Sequence, residues 1–527
     1  ADPVPLDESF FDLGGHSILA TRLVFQLRQK LGVHVPLGLV FDAPTIAQLA
    51  AATEKISSGG TDFLVAAPDT AKENALSGDL DYAKDAQVLE SELPASFMRA
   101  TPAGEPRVVL LTGATGFLGA YVLADLLDKR RNLVQKVYVH VRANDAGSAQ
   151  RRLRDALAGR GLWREAWEQE GRVQAVVGDL SKPHLGLNDA DWAHLAKEVH
   201  VIVHNGALVH WVYPYSKLRA ANVLSTMAVM RLASEGRPKS VAFVSSTSAL
   251  DTEYYIRFSD TSAQGVLESD SLDGSASDLK SGYGQSKWVA ERLLMAAASR
   301  GLAAVIIRPG YVVGDSKTAV TNTDDFLFRL IKGSAQLGLI PDMNNTINMV
   351  PVDHVARVTS LAGLAAIQWP ENHQTHAAVF HVTSHPTIRY NEFLGALIEY
   401  GWNVRPVEYL EWRTALENHV LASAAAGNTG LDADSNALFP LLHFVLDDLP
   451  TSTKSAELND ANTTKLLTEA HELDVVRGVD VPLVGLYLSW LVAVGFLPPP
   501  ASKSARTLPT LPEGAARPAM GRGSAAV

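Results

Sequence analysis

Residues 107–119 read RVVLLTGATGFLG: an apolar run of strand length, a glycine-rich turn, and the opening of a helical pattern. Gly113, Gly116 and Gly119 have the spacing G-x-x-G-x-x-G, with Thr115, Phe117 and Leu118 between them. Glycine here lets the backbone turn sharply, approach a pyrophosphate closely and pack the helix against the strand, with the helix N-terminus facing the phosphates. A glycine pattern alone is weak, since a structural turn would also produce it. The strand before it and the helix after it supply the context that a dinucleotide-binding turn requires.

Outward from this turn, strand-length apolar runs alternate with amphipathic stretches. They are KVYVHV (136–141), RVQAVVGD (172–179), VHVIVHN (199–205), SVAFVSS (240–246) and AAVIIRPG (303–310). Runs this continuously apolar belong to strands covered on both faces, so residues 105–318 are predicted to form an α/β, Rossmann-type doubly wound parallel sheet. Residues 319–500 lose the alternation and read as a mainly helical substrate-binding subdomain, with a further strand at AAVFHVTS (377–384). Residues 1–52 read as a small helical unit, 53–104 as a linker with a little local helix, and 501–527, rich in Pro, Ala and Gly, as a disordered tail.

The chain has 527 residues, 46 basic against 57 acidic, and a net charge of −11 without a basic block, which argues against a nucleic-acid partner. No apolar stretch is long enough to span a bilayer, so no membrane partner and a cytoplasmic location are expected. There is no cysteine. Disulfides, thiolate metal sites and an enzyme thiol that could carry an acyl group are therefore excluded, and no metal site is expected. Any thioester sulfur must come from a prosthetic group.

The end of the second strand discriminates between nicotinamide cofactors. An acidic residue there would bind the ribose diol, but this chain has Arg142, with Arg151 and Arg152 close behind. Arginine pairs with a 2′-phosphate, so NADPH is favoured, with Arg142 the first candidate and Arg152 the second; solvated surface arginines are the plain alternative. Asp179-Leu180 after the third strand and Asn205-Gly206-Ala207 after the fourth are expected beside the adenine and ribose.

Ser246 follows the fifth strand, and Tyr283 and Lys287 lie four residues apart, on one face of a later helix. A free tyrosine titrates near 10, too high for efficient proton transfer at neutral pH. Lys287 would lower that value and could hold the ribose hydroxyls, while Ser246 would steady charge developing on the reacting oxygen. Such a Tyr-Lys pair is common on ordinary helix surfaces, but glycine turn, serine strand and Tyr-Lys helix in this order make chance a poor account. Pro309, Gly310 and Val312, within RPGYV, are expected near the nicotinamide carboxamide. His210, Trp211, Tyr213 and Lys217 follow the fourth strand, where packing is the simpler role for the aromatic residues.

Near the N-terminus, DESFFDLGGHSILATRLVFQLRQKLG (7–32) puts Ser17 where a loop enters a helix. A helix cap would suffice to explain a serine there. However, the segment Asp12-Leu13-Gly14-Gly15-His16-Ser17-Ile18 resembles the phosphopantetheine attachment motif of carrier proteins. The later motifs resemble the extended short-chain dehydrogenase/reductase family, and more narrowly the thioester reductase domains that end carrier-based synthetases and carboxylic acid reductases. HNGALVHWVYPYSKLRAANV (204–223), GYGQSKWVAERLL (282–294) and RPGYVVGDSKTAVTNTDDFLFRLIKG (308–333) resemble in particular the fungal L-2-aminoadipate reductase family.

These resemblances imply NADPH-dependent reduction of a carrier-bound acyl thioester to an aldehyde, with release of the carrier thiol. L-2-aminoadipate, converted to its semialdehyde in lysine biosynthesis, would be the acid. They imply 4′-phosphopantetheine on Ser17, attached by a phosphopantetheinyl transferase, and an upstream adenylation domain in a longer polypeptide, with the carrier here lacking its first helix. The alternatives are a related enzyme with another acid substrate, an epimerase or dehydratase acting on a nucleotide sugar, and a non-catalytic NADPH-binding protein.

Overall fold

The computed structural model describes residues 43–58, 80–100, 106–210, 213–366, 377–425, 453–501 and 506–513, with isolated positions among residues 5–40, at 436–449 and at 515. Seven strands form one sheet: β1 (Arg107–Thr112), β2 (Val134–Val141), β3 (Val173–Val177), β4 (Val201–His204), β5 (Ser240–Val244), β6 (Ala303–Pro309) and β7 (Ala378–Val382). Their order is β7-β6-β5-β4-β1-β2-β3, and every ladder is parallel. The strand expected at 377–384 is β7, which returns from the helical region to pair with β6.

All four residues of β4 and all five of β5 are buried, which explains why these strands read as unbroken apolar runs. Alternate residues feed two cores. Leu110, Ile202, Val241 and Ile306 pack on one face, while Val109, Leu111, Val203, Ala242 and Ile307 pack on the other. A third core, around Phe326, Ile331, Leu394, Trp412, Leu488 and Trp490, belongs to the helical subdomain. The strand order reverses between β1 and β4, so the carboxyl ends of these strands border a crevice where a ligand can sit.

Two expectations need correction. The stretch read as a linker contains a helix that belongs to the sheet domain. Helix α1 (Ile46–Ser58) is followed by α2 (Tyr82–Ser91), and α2 buries Tyr82, Ala86 and Leu89 in the same core as Leu110 and Ile202. Its Asp85 is buried; it accepts hydrogen bonds from the Tyr215 hydroxyl and, at 2.7 and 2.9 Å, from Nε and Nη2 of Arg219. Helix α2 is short and polar in composition, so its periodic signal is weak; partners more than a hundred residues away fix it in place.

The second correction concerns the tail. Of the stretch read as disordered, residues 506–513 and Ala515 are described, and part of them docks on the third core. Leu508 and Leu511 lie against it, Ser489 Oγ donates to the Pro509 carbonyl at 2.8 Å, and Trp490 Nε1 donates to the Ala515 carbonyl at 3.0 Å. Proline-rich composition lowers the local tendency to form helix or strand. It does not prevent an extended segment from docking on a preformed apolar surface.

The described part of the N-terminal unit has its own small cluster, Ala20, Val24, Val35, Val40 and Leu49. Ser17 lies outside the described residues. Among the described residues no helix is long and apolar enough to cross a membrane. Replacing Asp85 by Ala leaves the Tyr215 hydroxyl and the Arg219 guanidinium without their buried acceptor, and should cost about 2 kcal/mol in urea unfolding, moderated by the partial exposure of Arg219. A linker helix without a structural role would leave the midpoint unchanged.

Candidate active site

The turn after β1 runs into helix α3 (Phe117–Ala124) with Gly116 as its N-cap, and no side chain caps this end. Gly113 has φ of +77°, a conformation that favours glycine. A Cβ on Gly113 would come within 2.6 Å of Gly206 Cα, and a Cβ on Gly119 would overlap the Gly113 carbonyl oxygen. The Gly116 N–H donates to that carbonyl at 3.0 Å, and Asn205 Nδ2 donates to it at 3.3 Å. The open N–H groups at the start of α3 and the lack of side-chain volume fit a dinucleotide pyrophosphate.

A chain of hydrogen bonds fixes the loop after β4 beneath this turn. The Gly206 N–H donates to Thr112 Oγ1 at 2.9 Å, and Thr112 Oγ1 lies 2.9 Å from His204 Nδ1. His204 Nε2 lies 3.2 Å from Ser225 Oγ, whose own proton goes to the Ala221 carbonyl at 2.6 Å. These partners assign the tautomer: Nε2 carries the proton and Nδ1 accepts from Thr112. Burial first, then the nearby Lys287 charge, push the His204 imidazole down to about 3, so it stays neutral. Leu180, after β3, also packs close to Gly206.

Arg142 is exposed at the end of β2, and Nη1 of Arg152, on helix α4 (Ala146–Ala158), donates to its carbonyl at 2.7 Å. The structure thus gives Arg152 a local task, holding the backbone that presents Arg142. Asp179 is held below the usual carboxylate range: its partial burial works against this, but hydrogen bonds from the Ser181 hydroxyl and N–H and the Arg142 charge prevail. Ala207 is partly buried in the loop after β4. Gly310 packs against Asn348 where β6 ends at Pro309, and Val312 pairs with Val350 in a separate two-stranded ladder.

Ser246 caps the short turn Thr247–Leu250 after β5. Its Oγ accepts from the Ser248 N–H at 3.1 Å and donates to Ser248 Oγ at 3.0 Å. Both sides of this hydroxyl are thus engaged within the turn, and its proton reaches a substrate oxygen only by leaving Ser248 Oγ. Helix α6 (Gly282–Ser299), capped by Ser281, carries Tyr283 and Lys287. Lys287 is buried, lies 5.7 Å from the centre of the Tyr283 ring and donates to the Val244 carbonyl at 2.7 Å. Burial pushes its ammonium down to about 7, against the opposing charge of Glu291.

Asn222 was not singled out from the sequence. It sits in a π-helical segment, Ala220–Leu224, directly after helix α5 (Tyr215–Arg219). Its side chain accepts from the Leu208 N–H at 2.7 Å and donates to the Leu208 carbonyl and to Ser286 Oγ, each at 3.0 Å. It therefore ties the loop after β4 to the helix of Tyr283 and Lys287. No signal in the adjacent sequence marks it, because its burial and the irregular turn around it both arise only in the fold. His210 and Tyr213 stack with ring centres 3.5 Å apart, and the backbone of Tyr213 abuts Gly282 at the start of α6. Lys217 is exposed on α5, and Trp211 lies outside the described residues.

The family described as Male sterility protein, an NAD-binding family, matches residues 111–359, and the phosphopantetheine attachment family matches residues 1–53. The terminal R domain of the myxalamid PKS-NRPS pathway is 32% identical, with a TM-score of 0.67, covering 80% of this chain and 100% of that domain. This chain belongs to the terminal reductase domain family. Its fold also matches an archaeal thiolation-reductase di-domain at a TM-score of 0.65 and 20% identity, over 93% of this chain and 94% of that one.

Among curated relatives, the L-2-aminoadipate reductase of Schizosaccharomyces pombe is 47% identical over 93% of this chain and 34% of its own length. The L-2-aminoadipate reductase of Saccharomyces cerevisiae is 47% identical over 96% of this chain and 36% of its own length. The chain thus spans about a third of the length of these relatives.

The glycine turn carries the most direct structural constraint on the cofactor. Gly119→Ala must move backbone to make room for one methyl group, and should weaken nicotinamide dinucleotide affinity at least about tenfold by fluorescence titration, the result expected of a turn that cradles a pyrophosphate. Unchanged affinity would rule out this turn as the phosphate site.

Proposed function

We propose that the chain catalyses NADPH-dependent reduction of an acyl thioester, borne on 4′-phosphopantetheine at Ser17, to an aldehyde. L-2-aminoadipate is the favoured acid and its semialdehyde the product, on the strength of the aminoadipate reductases at 47% identity. The observation that carries the reading is the meeting of Tyr283, Lys287 and the turn of Ser246 at the carboxyl edge of β5, in a chain that also matches the phosphopantetheine attachment family.

When bound, the nicotinamide cofactor supplies the hydride equivalent. The reaction consumes thioester, NADPH and one proton and yields aldehyde, free thiol and NADP⁺. Gly113, Thr115, Gly116, Phe117, Leu118 and Gly119 would hold the pyrophosphate, Arg142 the 2′-phosphate with Arg152 behind it, and Asp179, Leu180, Asn205, Gly206 and Ala207 the adenosine. Pro309, Gly310 and Val312 would border the nicotinamide.

The Tyr283 hydroxyl donates its proton to the thioester carbonyl oxygen as negative charge builds there, and the Ser246 hydroxyl donates a second hydrogen bond to the same oxygen. The Lys287 ammonium favours proton loss from Tyr283 by its charge and would take the ribose hydroxyls on leaving the Val244 carbonyl. Since the chain has no cysteine, no thiol of its own competes for the acyl group. A phosphopantetheinyl transferase loads Ser17, an adenylation domain activates the acid, and the setting is cytoplasmic.

Tyr283→Phe should lower kcat by about 100-fold or more with an acyl-pantetheine thioester while NADPH still binds, since positioned acid catalysis contributes that much. A near-parental rate would refute the assignment. In Arg142→Ala the KM for NADPH should rise about tenfold and that for NADH should stay nearly constant, as expected from loss of one charge-assisted contact. Equal effects on both cofactors would remove Arg142 from the 2′-phosphate site.

A further inference from the structure

One turn beyond Lys287 on α6, Glu291 is fully buried and faces Arg308 on β6, which is fully buried as well. Arg308 Nη2 donates to Glu291 Oε2 at 2.6 Å, and its Nε lies 3.1 and 3.0 Å from the two carboxylate oxygens. The other side of the carboxylate accepts the hydroxyl of Ser245. Two consecutive residues at the end of β5 are therefore tied to residues one helical turn apart on α6: the Val244 carbonyl to Lys287 and the Ser245 hydroxyl to Glu291. Ser246 is the next residue.

The network continues into the helical subdomain. Arg308 Nη1 meets His381 Nε2 at 3.1 Å, and His381 Nδ1 meets the Asn459 carbonyl at 2.7 Å. The carbonyl can only accept, so Nδ1 carries the proton and Nε2 receives the Arg308 bond. The His381 N–H donates to Glu268 Oε1 at 2.8 Å, and the Asn462 N–H donates to Glu268 Oε2 at 2.6 Å. A buried ion pair of this kind seldom adds stability over apolar residues of equal volume. What it does supply is direction, because each donor and acceptor fixes the angle of its partner.

We infer that Glu291, oriented by Arg308, is a positioning residue for the reduction: it fixes the end of β5 against α6 so that the Ser246 and Tyr283 hydroxyls converge on one oxygen. The inference rests on the function proposed above. The groups facing Lys287 are Tyr283 and Glu291 on its own helix, the Phe243 ring and Val244 carbonyl on β5, and the neutral His204 on β4. Glu291 is the group among them that raises the Lys287 ammonium, so its removal has a signature in pH as well as in rate.

The test compares Glu291→Gln and Ser245→Ala with the parental chain, using NADPH and an acyl-pantetheine thioester. The kcat should fall about 100-fold in Glu291→Gln and about tenfold in Ser245→Ala, with the KM for NADPH within about twofold of the parent, as for misplacement of reacting groups by a fraction of an ångström to one ångström. The alkaline limb of kcat should move to lower pH in Glu291→Gln only, because loss of the carboxylate lets Lys287 deprotonate earlier.

Folded variants with parental kcat and pH profile would overturn the inference, as would a rise in KM at unchanged kcat. Should Glu291→Gln fail to fold, Ser245→Ala, which keeps the ion pair, decides by its kcat. An inactive parent would refute the proposed function instead. Crystal structures of parent and Ser245→Ala would then decide this inference by whether Ser246 keeps its position relative to Tyr283.

Discussion

At Gly119 a single methyl group would overlap the carbonyl oxygen of Gly113, and at Gly113 it would press on Gly206. The absence of side-chain volume at these points lets α3 start directly against the end of β1 and lets the loop after β4 slide beneath it. The rest of the site follows from that contact. Asn205 reaches the Gly113 carbonyl, Thr112 receives the Gly206 N–H, and His204 passes the constraint through Ser225 to the neighbouring helix. A bulkier turn would separate β1 from β4 at the place where the sheet order reverses and the crevice opens.

The catalytic side of the crevice has a different construction. There the strand ends of β5 and β6 are held by charged and polar groups buried under α6. Lys287 rests on the Val244 carbonyl, and Glu291 is shared between Ser245 and Arg308. The low polarity that makes an unpaired group costly also makes each satisfied contact stiff. The buried Lys287 ammonium illustrates both effects. Desolvation brings it down to about 7, so its charge responds to small changes in its neighbours.

Both halves of the crevice are joined to regions far away in sequence. Asp85 ties α2 to α5, the helix that leads into the turn of Asn222, and His381 ties Arg308 to the segment around Asn459. Neither tie has a local signature. Asp85 lies in a polar helix of ten residues, and His381 is one histidine within an apolar strand. The same holds for Pro509 and Ala515, which lie where the composition suggests a tail and whose backbone carbonyls nevertheless serve as acceptors for Ser489 and Trp490.

The sequence by itself determined the elements whose cause is local. Strands buried on both faces must be apolar throughout, a dinucleotide turn must have glycine where φ is positive or a Cβ would collide, and a four-residue spacing puts Tyr283 and Lys287 on one helix face. These demands fall on neighbouring residues, so they are written in neighbouring letters. The tertiary structure alone decided that residues 82–91 and parts of 506–513, with Ala515, belong to the folded body, that Asn222 braces α6, and that Glu291, Arg308 and Ser245 form one network. Each of those facts depends on polar groups meeting across long stretches of chain. A buried donor needs an acceptor, but nothing in the adjacent sequence specifies which one the fold will bring to it.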